Sequence, residues 1–282
     1  MLSVRRKSLH AGMRKIQNAR RNLKVGDEKE QLIYGFARIS KYLAAIKDAN
    51  NSTIEYELQT SAPRDEHGHR VFKSLFLLIR AGLDLCADGG HPVYGLDCGA
   101  YRCSLMGCVV MILTGQAGSY HSIPFVLGVV TGEQKDTYAA FGEFCKKYGV
   151  ISKIDKPTNF LWSDMDKGLD VEIPKWFENM IKCCCQLHQE RALSKEFKSA
   201  FNPIVFKQLC KSVSVQQVDD SLALIESKSK KLKEKLVQWG LHKFVLYNIV
   251  KENPGTWTAG ARNSNLVELI MNEMLGQDGR GG

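Results

Sequence analysis

Residues 106–115 and 122–130 form two nearly continuous apolar runs separated by a short polar stretch, and they restrict the folds open to this chain. A strand that alternates apolar and polar residues can rest one face on water. A run such as Val109-Val110-Met111-Ile112-Leu113 cannot, and needs cover on both faces. Shorter strand patterns flank these two: residues 93–96, ending at Asp97, residues 159–163, ending at Asp164, and residues 181–187, a fifth strand or edge. Between them, residues 137–148 place Tyr138, Phe141, Phe144 and Cys145 on one helical face. Residues 168–180 also read as helical, with Pro174 acceptable as the first residue of a second segment. The order β-β-β-α-β-α-β predicts an α/β protein, a mixed sheet flanked by helices.

Upstream, Ile33, Phe36, Ile39, Tyr42, Leu43 and Ile46 repeat at helical spacing. Residues 52–59 alternate like a strand, residues 62–69 form a polar turn, and residues 71–85 fit a strand or a short helix before a loop at 86–91. His67 and His69 belong to that polar turn and read as loop residues, not as half of a metal site. Downstream, residues 189–262 are polar and helical and carry Lys228, Lys230, Lys231, Lys233 and Lys235. A final helix is expected over 264–275, followed by a glycine-rich, disordered tail at 276–282.

At 282 residues with 44% hydrophobic content, the chain has ample material for a core. Its net charge of +9 favours a polyanionic partner. Nine Lys/Arg against three acids fall in the first 30 residues, where Met13, Ile16, Ala19 and Leu23 approach helical spacing. That basic helix suits DNA phosphates or simply a solvated face. No apolar core follows the charged N-terminus, so no secretory signal is expected, and the apolar runs are too short and interrupted to span a bilayer. Nine cysteines, mostly inside apolar runs, point to reduced thiols in a nuclear or cytosolic setting. Cys183, Cys184 and Cys185 cannot all reach one metal from a strand, because neighbours face opposite ways.

Three carboxylates and one Cys/His pair carry the candidate chemistry. Asp97 and Asp164 stand at strand ends, where paired carboxylates either share a divalent cation or cap the turns that follow. Glu268, on the expected last helix, lies off the buried face of Leu266, Val267, Ile270, Met271 and Met274. It is either a third ligand or the partner of Asn265 in a capping box. Cys185 and His188, at C-x-x-H spacing, offer a thiolate and an imidazole, but no second pair completes a zinc site downstream.

The ordered set resembles the transposases of Mutator-like elements, the MULE domain. GLDCGAYR (95–102) is similar to the segment holding their first aspartate, with Cys98-Gly99 where Gly-Thr is usual. IPFVLGVVTGE (123–133) and DTYAAFGEFCKKY (136–148) resemble the strand and helix that follow. SDMDKG (163–168) resembles the second aspartate, C-x-x-H follows at Cys185 and His188, and NSNLVE (263–268) resembles the glutamate segment, with Leu269 for the usual Ser. Upstream, ISKYLAAIKDANNST (39–53) and RVFKSLFLLIRAGLDLC (70–86) are similar to the family's lead-in.

The resemblance implies an RNase H-like fold with a helical N-terminal region over 1–90 and a core over 91–275 interrupted by a helical insertion at about 189–262. It implies Asp97, Asp164 and Glu268 as a DDE triad holding Mg²⁺ or Mn²⁺, and nuclear cleavage and transfer of DNA strands at transposon terminal repeats. Double-stranded DNA, both element end and target, is the implied partner, with a homo-oligomer possible and no membrane. The family's usual N-terminal DNA-reading module and its following Cys/His knuckle have no counterpart. That fits a fragment, a decayed copy or a domesticated DNA-binding derivative equally well.

Overall fold

The computed structural model describes residues 28–50, 53–64, 70–100, 108–164 and 169–256. The expected basic helix within residues 1–27, the His67–His69 pair, Glu268, the expected helix at 264–275 and the tail fall outside the described residues. The chain divides into two compact units, Met1–Ala45 and Ile46–Gly282. Helix α1 (Glu28–Ala49) runs through the apolar spacing that begins at Ile33.

The second unit is built on one seven-stranded mixed sheet in the order β1-β2-β5-β4-β3-β6-β7. β1 (Ile54–Arg64) and β2 (Arg70–Ile79) form an antiparallel hairpin. The stretch that fits either a strand or a helix is both, because α2 (Arg80–Gly89) starts where β2 stops. The expected loop at 86–91 is the last turn of α2 and the start of β3 (Gly90–Ala100). Gly90 makes that turn possible, since a Cβ there would strike the carbonyls of Cys86 and Gln116. β3, β4 (Val109–Ala117) and β5 (Ser122–Val130) form an antiparallel meander. After α3 (Lys135–Lys147) and α4 (Val150–Ile154), β6 (Phe160–Ser163) pairs parallel with β3. α5 (Leu169–Trp176) then leads to β7 (Ile181–Cys184), parallel to β6.

Pro174 is inside α5 and does not open a second segment. The turn closes beyond it all the same, with Phe177 N–H donating to Ile173 O at 2.9 Å.

One face of the sheet carries Phe76, Leu78, Tyr94, Leu96, Met111, Leu113, Val126 and Leu161. Onto these pack Leu83 and Cys86 of α2, Tyr138, Phe141, Phe144 and Cys145 of α3, Ile154 of α4 and Ile173 of α5. Burying each such side chain contributes roughly 1.5–3 kcal/mol, which explains why the continuous apolar runs occupy the central strands. On the opposite face Val93, Phe160, Trp162 and Cys183 form a second cluster.

Beyond β7 the chain becomes helical: α6 (Gln186–Phe197), α7 (Pro203–Lys211), α8 (Val215–Lys228), α9 (Lys230–Trp239) and α10 (Leu246–Glu252). Their starts are written in the sequence. The side chains of Asn202, Ser214 and Ser229 cap the N-termini of α7, α8 and α9. These helices build a core of their own around Leu193, Phe206, Leu209, Leu222, Leu236 and Phe244, joined by Cys184 from β7. Ile249 of α10 packs back on the sheet cluster of Val93 and Trp162.

Candidate functional site

The parallel β3–β6 ladder decides the geometry of the site. Leu96 is the register partner of Ser163, so Asp97 and Asp164 are the next residues on neighbouring strands. Such strands run about 4.8 Å apart. The two aspartates therefore emerge at one level of the sheet, although 66 residues lie between them.

Their surroundings differ. Asp97 is expected at a strand end, but β3 continues to Ala100 because residues 97–100 keep their ladder with Val109–Ile112 of β4. It is consequently only 5% exposed, and its Oδ1 accepts a hydrogen bond from Cys98 N–H at 2.8 Å. Asp164 follows the last residue of β6 and is partly exposed.

The Cys185/His188 pair stands beside Asp164 and is helical. β7 stops at Cys184, so the expected strand to residue 187 becomes the start of α6, with Cys185 at the N-cap and His188 in the first turn. Cys185 N–H donates to Ser163 O at 2.9 Å, which ties this start to the end of β6. His188 Nε2 then lies 3.8 Å from Asp164 Oδ2. Hydrogen bonding to Cys185 raises the His188 pKa to about 9 against the opposing effect of burial, and the charges of Cys185, Asp164 and Asp97 add to the rise. A cation beside two carboxylates offsets their mutual repulsion.

Three residues outside the sequence-predicted set, Cys98, Tyr138 and Glu133, lie at the same end of the sheet. Burial first, then the charges of Glu133, Asp97 and Asp164, push the Cys98 thiol far up, so it stays protonated. Tyr138 of α3 is raised by burial and then by Cys98, Glu133 and Asp164. Glu133 lies in the short loop between β5 and α3. The signal for it was available: in a β3-β4-β5 meander the loop after β5 returns to the end of β3 that holds Asp97.

The triple cysteine divides: Cys183 and Cys184 face opposite ways as neighbouring strand residues must, and Cys185 has already left the strand. Cys183 joins the sheet cluster, Cys184 the helical core, and Cys185 the site. No disulfide joins the cysteines among the described residues. Among the described residues, no three His, Cys, Asp or Glu side chains are grouped closely enough to hold a metal ion. The adjacent carboxylates of Asp97 and Asp164 suit two ligand positions of a hard divalent cation, and Glu268 lies outside the described residues.

Fold and site together define an α/β protein with a mixed sheet flanked by helices and an acidic pair on two neighbouring parallel strands, Asp97 within β3 and Asp164 just past the end of β6. No protein-family model matches the sequence, and no curated protein matches it. Among the described residues no helix is long and apolar enough to cross a membrane.

Proposed function

We propose that the chain is the catalytic core of a Mutator-like DNA transposase, with an RNase H-like fold, that cleaves and transfers DNA strands with Mg²⁺ or Mn²⁺. The observation that carries this reading is the adjacency of Asp97 and Asp164 across the β3–β6 ladder. The order β5-β4-β3-β6-β7, with an antiparallel meander followed by two parallel strands, supports an RNase H-like core extended by the β1–β2 hairpin. Asp97, Asp164 and Glu268 would hold the cation. Bound there, it would polarise the phosphodiester and neutralise charge building on the attacking and leaving oxygens.

The protein's own residues set the rest. Pairing with Ile112 of β4 fixes the Asp97 backbone on one edge, the preceding Leu96 is in register with Ser163 on the other, and protonated His188 steadies the Asp164 carboxylate. Water and then a DNA 3′-hydroxyl would attack phosphorus in line, with no covalent bond to the enzyme. Lys228, Lys230 and Lys231, all exposed and without an acidic partner among the described residues, are available to DNA phosphates in the nucleus.

A second reading, a domesticated DNA-binding derivative without turnover, is favoured by the burial of Asp97 inside a strand that continues to Ala100. Nicking of a terminal-repeat DNA substrate separates the two. The first reading expects Mg²⁺- or Mn²⁺-dependent cleavage that falls by a factor on the order of 10³ in Asp97→Ala, Asp164→Ala and Glu268→Ala. Cleavage by Asp97→Ala at the wild-type rate would overturn it.

A further inference from the structure

The helical insertion contains a cavity of about 360 Å³, on α7, α8, α9 and the turn before α7, remote in sequence from the acidic pair. Its walls are apolar: Phe201, Pro203, Val205, Phe206, Leu232 and Leu236. Phe201 and Phe206 stand with ring centroids 5.7 Å apart. Leu224, on the lining, is 55% exposed, and its neighbour Ile225 is buried in the helical core.

The rim is polar and one-sided in charge. Asn202 uses Oδ1 to accept from Ile204 and Val205 N–H, which leaves its amide NH₂ to donate. Ser199 and Ser227 bring hydroxyls, and Lys228 is the cation on the rim. Lys230 and Lys231 follow at once in the chain, exposed like Lys228. By contrast Lys233 and Lys235 are paired with Glu226 and Glu196 at 2.6 and 3.3 Å.

We infer that this cavity receives an unstacked nucleobase of single-stranded DNA, with the adjoining phosphates on Lys228, Lys230 and Lys231. A planar base fits apolar, partly aromatic walls, its polar edge meets amide and hydroxyl groups at the rim, and its backbone is the anion that three lysines, unpaired among the described residues, select. An apolar peptide side chain would use the walls but leave the Asn202 amide at the rim without a ligand, whereas the Ser227 hydroxyl already donates to Leu224 O at 2.8 Å and offers its oxygen as an acceptor. The inference rests on the DNA-binding part of the proposed function and is independent of strand cleavage.

Binding of the full chain to a mixed-sequence single strand and to an abasic strand of equal length, over a range of salt, tests it. Wild type should bind the base-bearing strand about tenfold more tightly, the size of one base–aromatic contact. Ser227→Trp, which places a bulky ring at the mouth from an exposed helix position, should erase that preference and leave the salt slope unchanged. Replacing Lys228, Lys230 and Lys231 by Ala should weaken both strands and lower the slope of log affinity against log salt by about 0.7 per lost phosphate contact. A strand substituted with 5-iododeoxyuridine should photocrosslink to the peptide holding Phe201 and Phe206. Equal wild-type affinity for the two strands, a preference that survives Ser227→Trp, or no DNA binding would each overturn the cavity assignment. Base-dependent binding without metal-dependent nicking would instead overturn the catalytic reading and leave the cavity assignment standing.

Discussion

His188 Nε2 stands 3.8 Å from Asp164 Oδ2, and this contact joins the C-x-x-H pair to the carboxylates. The histidine pKa is raised from 6.5 to about 9, first by Cys185. A group whose folded value lies above its unfolded value stabilises the fold fully below the unfolded value. That stability is lost as pH rises through the folded value. The linkage is worth at most about 3.4 kcal/mol. Denaturant titrations of metal-free protein should therefore show stability falling between about pH 6.5 and 9, and this component should vanish in His188→Ala. Cys185→Ala should move the His188 NMR titration towards 6.5, and an unmoved midpoint would remove Cys185 as its main cause.

Gly142 on α3 lies under the indole of Trp176 on α5, and a Cβ there would overlap ring atoms Cδ2, Cε2 and Nε1. Gly142→Ala is expected to destabilise by about 1–3 kcal/mol through overpacking. Pairing it with Trp176→Leu should recover part of that loss, because the two changes share one space. Urea midpoints at constant slope measure both. Simple additivity would show that α3 and α5 do not meet at this point.

Trp162 is 1% exposed, and its indole Nε1 is buried without a hydrogen-bond partner among the described residues. Trp162→Phe should consequently cost less than about 1.5 kcal/mol, since no bond is broken. Trp162→Ala should cost about 3–5 kcal/mol by emptying the space between β6 and α10. Equilibrium unfolding distinguishes them, and equal losses would mean that the N–H has a partner.

The central strands were legible because their apolar runs demand burial; residues 109–113 are covered on both faces in β4, whereas β5 over 126–130 is fully buried on one face and half-buried on the other. The helical insertion was legible from its polar, lysine-bearing character, while the caps that start three of its helices, Asn202, Ser214 and Ser229, were not singled out. The position of Asp97 was read less well. Local pattern ends the strand at residue 97, but pairing with Val109–Ile112 of β4 carries it to Ala100, and pairing is not a local property. Cys185 was misread as a strand residue for the same reason: the expected strand needed three more residues of β7 pairing, 185–187, and the helix start intervenes. The contact of Gly142 with Trp176 left no trace in the sequence, since nothing in either segment encodes which helix faces the other. Glu133 was missed because its proximity to Asp97 depends on the meander and not on any motif.

Manganese binding by calorimetry tests most directly whether Asp97 and Asp164 act as one site. Asn replaces either carboxylate with little change of shape, so the fold should persist in Asp97→Asn and Asp164→Asn. Each single variant should lose Mn²⁺ binding by at least about tenfold, and the double variant should be little worse than either, as expected for two ligands of one ion. Wild-type affinity in either single variant, or losses that add independently, would contradict the shared site.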